Sequence, residues 1–265
     1  MSGRSHSRKR SGFFREDRES GRSMRVAALH AGASLRELMR MPAYVVPTLG
    51  FPTMFFLFFA APGSDDDATT LMVVFAGFAV LGVAFFQFGV GIATERATPW
   101  ERYVRTLPVS PTQRFGGRIL SALVFAAAAA ALVLVAAVLT TSADLRAPQW
   151  GQLALALLLG SIPFALFGIA LGYLAPPRAA LPIANVVYLT LSYCGGLWTT
   201  PDELPDAVQR LSPYLPTRAL ADTLVGIARG DAIQREAWLV LVFYTGALFA
   251  LAAWAYRRDE GERYR

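Results

Sequence analysis

Lysine is nearly missing from this chain: Lys9 is the sole lysine among 25 basic residues. A Walker A phosphate loop needs a glycine-rich turn that runs into a lysine, and Lys9 follows no such turn. If ATP drives this protein, another polypeptide binds it. Cysteine is limited to Cys194, which excludes an internal disulfide. That residue sits in an apolar run and reads as a small packed side chain. Histidine is limited to His6 and His30, both outside the apolar runs, and no Cys/His spacing suits a metal.

Charge is missing where it would be most informative. Six apolar runs, at about 44–61, 71–93, 119–139, 153–174, 181–198 and 238–256, contain no Asp, Glu, Lys, Arg or His. Each approaches or exceeds the length needed to cross a hydrocarbon core of about 30 Å. An ionisable group at mid-bilayer costs at least about 2.5–3.5 kcal/mol and is retained where function uses it. A proton- or sodium-coupled carrier, or an intramembrane enzyme, would keep such a group. What remains is a 265-residue chain that is 54% hydrophobic, with a mean hydropathy of +0.41. That composition defines an all-α polytopic membrane protein with six transmembrane helices.

The order along the chain is simple. Residues 1–23 are rich in Ser, Arg and Gly without an apolar face, and read as a disordered basic tail. Beside a membrane, such a tail faces anionic lipid rather than nucleic acid. Residues 24–41 are weakly amphipathic and read as an interfacial helix leading into the first span. The six-span domain is expected over 24–256, and residues 257–265 form a charged tail. Between the fifth and sixth spans, 199–237 holds Pro201, Pro205, Pro213 and Pro216, with short helices expected at 206–211 and 217–228. Basic residues set the orientation. With the N-terminus inside, only Arg146, Arg210, Arg218, Arg229 and Arg235 face outward, so both termini are expected in the cytoplasm.

The strongest local signals lie in the polar stretch 94–118. Thr98, Pro99 and Glu101 have the spacing of a capping box with proline at the first helical position. Trp100, Tyr103, Val104 and Leu107 then share one helix face, and Arg102 and Arg105 point elsewhere. Pro108 stops the helix. Ser110, Pro111 and Gln113 start the next one. Spacing alone fits two readings: a helix lying on lipid, or a docking element for a cytoplasmic partner.

The polar groups within the runs are mild: Gln87, Asn185, Tyr188 and Tyr193 are the main ones. They fit hydrogen bonds between helices, or contacts along a substrate path.

Three groups of residues, in register with the six runs, make the chain resemble an ABC-2-type ABC-transporter permease over roughly 24–256. The first is Leu38-Met39-Arg40-Met41-Pro42 followed by Pro47 and Pro52. The second runs from Glu95-Arg96 through Trp100-Glu101-Arg102 to Leu107-Pro108-Val109-Ser110. Here Ala97-Thr98-Pro99 stands where the family usually has a Gly-Thr pair. The third runs from Leu191-Ser192 and Gly195-Gly196-Leu197-Trp198 through Leu204-Pro205 and Leu211–Thr217 to Gly226 and Gly230.

The resemblance implies a function. The helix after residue 98 would be the coupling helix that docks on a separate ABC ATPase subunit, and that ATPase would hold ATP and Mg. No cofactor would be bound by this chain. Glu95, Arg96, Glu101, Arg102 and Arg105 would supply polar contacts, and Trp100, Tyr103, Leu107 and Pro108 the apolar face and its stop. The two short helices between the fifth and sixth spans would be extracellular and re-entrant. The first and fifth spans would contact a second permease copy or a paralogue. The expected activity is export of an amphipathic or apolar substrate across a bacterial cell membrane. The rival readings are an ion-coupled carrier and a non-transporting assembly protein.

Overall fold

The computed structural model describes residues 46–63, 67–98, 111–198, 204–232 and 234–263. The expected interfacial helix at 24–41, the basic tail and the capped helix after Thr98 lie outside these residues. Every regular element among the described residues is a helix. α1 spans 46–60 and alternates between π and α geometry. α2 is Ala68–Arg96, α3 is Pro111–Thr140, and α4 is Ala147–Leu174 with a break at Ser161. α5 is Pro177–Cys194, α6 is Asp206–Leu211, α7 is Pro216–Arg229, and α8 is Arg235–Arg263.

Four helices among the described residues are long and apolar enough to cross a membrane: α2, the 118–140 part of α3, α4, and the 235–260 part of α8. At 1.5 Å per residue, the 29 residues of α2 reach about 43 Å. α1 is apolar but shorter. α5 has 18 residues, about 27 Å, and is diluted by Arg178, Pro182 and Asn185. By length and composition, four of the described helices are candidate spans, where the hydropathy pattern marks six.

α2 is the central helix. Of its apolar stretch 89% is buried, against 17% for α8. Its sequence is apolar on all sides, as a helix enclosed by others requires. α1, α3, α4, α5 and α7 all pack on it. Within it, Ala84–Val90 winds as a π-helix. Three consecutive residues of that segment reach three different helices. Phe85 meets Phe167 of α4 with ring centroids 5.4 Å apart, Phe86 meets Tyr188 of α5 at 5.6 Å, and the Gln87 amide donates to Ser121 of α3 at 2.8 Å.

Small residues set the closest approaches. A Cβ at Gly168 of α4 would lie 2.5 Å from the Ala84 carbonyl oxygen, and one at Gly172 would lie 2.7 Å from that of Phe88. The amphipathic helix α7 uses the same device. Its Leu224 fills the notch at Gly77, and its Leu220 the notch at Gly160. α7 ends at Gly230, whose φ of +75° suits glycine, and Asp231 N–H donates to the Gly226 carbonyl at 2.8 Å. The Gln149 side chain closes the same terminus from α4, donating to the carbonyl of Ile227 at 2.6 Å.

Of the boundaries that differ from the hydropathy pattern, three stand out. α4 begins at Ala147 rather than 153, because Pro148 opens the helix and Gln149 accepts from the Arg146 N–H at 2.7 Å. α5 ends at Cys194 rather than 198, where Gly195 and Gly196 turn the chain and Gly196 takes a φ of +75°. The C-terminal charged segment continues α8 as helix to Arg263.

Candidate functional site

The Arg96 end of α2 is where the chain enters the stretch that holds the clearest docking signals. Thr98 N–H and its hydroxyl both close on the Glu95 carbonyl, at 2.9 and 2.8 Å. The helix that Thr98 is expected to cap, with Trp100, Glu101, Arg102, Tyr103, Arg105, Leu107 and Pro108, lies outside the described residues. The residues on either side of it are described, and they are tied together. The Arg118 guanidinium of α3 donates to the Glu95 carboxylate. This ion pair joins the point where the chain leaves α2 to the point where it is re-established in α3. One turn further into α3, Ser121 accepts from Gln87 and donates to the Arg118 carbonyl at 2.9 Å. The α2–α3 seam thus carries two polar contacts in succession.

Arg96 turns the other way. Its guanidinium donates to the Tyr173 carbonyl near the end of α4 and pairs with Asp259 of α8 at 3.0 Å. Only 15% of the Arg96 side chain and 11% of the Asp259 side chain is exposed. The guanidinium carbon lies 5.6 Å from the Tyr173 ring centroid, within range of a cation–π attraction. Tyr173 meets Tyr256 edge to face at 5.3 Å, and the Tyr256 hydroxyl donates to Glu260 at 2.6 Å. Glu95 and Arg96 together therefore bind α2 to α3, α4 and α8. The structure spends the Arg96 side chain inside the chain, whereas 56% of the Glu95 side chain is exposed.

The other polar residues singled out in the sequence are dispersed. Gln87 is buried in the α2–α3 seam, and its Oε1 has no partner. The amide is oriented by Ser121, whose own hydroxyl proton is committed to Arg118. Tyr188 is buried in the α2–α5 seam, stacked on Phe78. Asn185 is half-buried on α5. Tyr193 is half-buried, with its ring 6.2 Å from Trp198. These four do not converge on one cavity. A shallow open recess does exist between α1 and α3, lined by Gly50, Thr53, Met54, Leu57, Phe58 and Leu132, and it is almost wholly apolar. Among the described residues no group of three or more His, Cys, Asp or Glu is placed to hold a metal.

Sequence reasoning passed over Asp259 and Glu260 because they follow the last apolar run and read as a charged tail, and over Tyr256 because it is the last residue of that run. One signal was present. An arginine at the end of a span needs an acid to neutralise it when buried, and Asp259 ends the span that packs on α4.

The described residues thus form helices throughout, several of them of membrane length. Residues 36–254 match the family described as ABC-2 family transporter protein, and the chain belongs to that family. A relative from Bacillus subtilis (strain 168), "Putative transport permease YvfS", is 21% identical over 243 residues, which is 89% of this chain and 99% of the relative. The chain is accordingly a multi-pass membrane subunit of a transporter.

Proposed function

We propose that this chain is the permease subunit of an ATP-driven exporter. The observation that supports it best is the ion pair between Glu95 and Arg118, which brackets the arginine-rich stretch that carries the capping signals. An element that receives force from a partner needs its two ends held near one another, and this pair links the helices on either side of it. The element is the coupling helix, with Trp100, Tyr103 and Leu107 on its apolar face and Glu101, Arg102 and Arg105 as polar contacts. The partner is a separate ABC ATPase subunit that holds ATP and Mg.

In this reading α1 and α5 join the four longer helices as spans, both termini lie in the cytoplasm of a bacterial cell, and α6 and α7 lie on the outer side. α1 and α5 carry uncovered apolar side chains, including Leu57, Phe58, Leu181 and Val186. A second copy or a paralogue, together with lipid, covers them. The substrate is amphipathic or apolar, in keeping with runs that lack ionisable groups.

The test is purification of the tagged protein from its native host, with mass spectrometry of what accompanies it. An ABC ATPase at about one copy per permease is the expected result. In the double variant Trp100→Ala/Leu107→Ala, co-purification falls and membrane insertion is unchanged. Reproducible absence of any ATPase beside intact protein overturns the proposal in favour of an ion-coupled carrier or an assembly protein.

A further inference from the structure

We propose that Asp259 is a positioning residue. By holding Arg96 it makes the end of α8 move with the base of the proposed coupling helix. The inference rests on the docking reading above and adds to it a route into the membrane helices.

The geometry gives the route. α8 is the most peripheral of the long helices, with most of its apolar surface uncovered by the rest of the chain. It has little packing on α2 to carry movement directly. It is joined to α4 by extensive packing and to the Arg96 end of α2 by the ion pair. Arg96 lies two residues before Thr98, the expected cap of the proposed coupling helix, so in the docking reading a movement of that helix is passed to this arginine. The guanidinium reaches the Tyr173 carbonyl and the Asp259 carboxylate from one nitrogen. A shift of Arg96 therefore acts on α4 and α8 together. The site is only 15% and 11% exposed at its two members, so the pair is little screened by solvent.

Replacing both members of a buried pair by well-packed apolar groups of similar volume is often tolerated, so stability alone does not require charge here. A charged pair resists separation over a longer distance and keeps the two ends in register while they move.

The experiment uses the permease–ATPase complex in lipid vesicles. Spin labels are placed at Arg178→Cys and Arg257→Cys, both exposed positions, in a Cys194→Ala background. The label distance is measured without nucleotide and with Mg-ATP trapped by vanadate. The expected result is a nucleotide-dependent change that disappears in Asp259→Asn and returns in Asp259→Glu, with ATPase co-purification equal in all three. If Asp259→Asn does not insert, the neutral pair Arg96→Gln/Asp259→Asn, which leaves no unmatched charge, is measured in its place and loses the change. A change that persists in the neutral variant overturns the inference and leaves the docking reading standing. Loss of ATPase from the parent complex overturns the docking reading, and this inference with it.

Discussion

Tyr188 lies flat on Phe78, with ring centroids 4.8 Å apart and planes 10° from parallel, and its hydroxyl donates to the Phe78 carbonyl at 3.1 Å. One residue of α5 thereby holds α2 by both its face and its polar tip. Gly82 makes room for it, since a Cβ there would lie 3.0 Å from the hydroxyl. The contact is internal to the fold, although the same tyrosine is a candidate substrate contact on sequence grounds.

Tyr188→Phe separates the two roles. The hydroxyl contributes one hydrogen bond, and its loss costs about 1 kcal/mol. Tyr188→Ala opens a cavity and costs about 3–5 kcal/mol. Thermal unfolding in detergent checks both. A structural role predicts that transport in Tyr188→Phe follows stability. A loss of transport without a loss of stability would assign the hydroxyl to substrate.

Gly168→Ala forces α4 away from α2, because the new Cβ meets a backbone oxygen that cannot rotate aside. The expected cost is about 1–3 kcal/mol. Gly151→Ala, in the same helix but with nothing within 4 Å of the new carbon, is the control. It is expected to be neutral or to stabilise by up to about 1 kcal/mol through helix propensity. Equal unfolding temperatures for the two variants would refute the close α2–α4 approach.

Ser121→Ala removes the acceptor of the buried Gln87 amide, whose oxygen already lacks a partner. An unmatched buried amide costs about 1–3 kcal/mol. Adding Gln87→Leu removes the amide itself and is expected to recover most of that loss, by the same unfolding measurement. If the double variant is as unstable as Ser121→Ala, the seam depends on more than this hydrogen bond.

Glu95→Gln breaks the pair with Arg118 at a position that is more than half exposed. Its cost is about 0–1 kcal/mol. The docking reading predicts weaker ATPase co-purification at almost unchanged stability. A large drop in unfolding temperature would mean that Glu95 serves the fold rather than the stretch it brackets.

The helical class was legible because apolar runs of membrane length are hard to build any other way. The range 206–211 was legible from Pro205 and Pro213, which bound it, and a helix occupies Asp206–Leu211. The start of α4 was hidden because its capping residue, Gln149, is polar and lowers the hydropathy of the turn it opens. The pairing of Arg96 with Asp259 was hidden for a different reason. The two residues are distant in the chain and belong to separate elements, so no period or spacing connects them. Glu95 was placed in the right neighbourhood by its motif, but the identity of its partner, Arg118, needed the fold.

The enclosure of α2 also has a history in time. It emerges from the ribosome well before α4, α5 and α7, which later surround it. Apolar over most of its length, it can wait in lipid at little cost, and its Gln87 amide gains a partner as soon as α3 follows. Helices that are each stable alone and then associate need no particular order of insertion. The centre of this protein is thus made before most of the helices that enclose it, and maturation consists of the latecomers gathering around it.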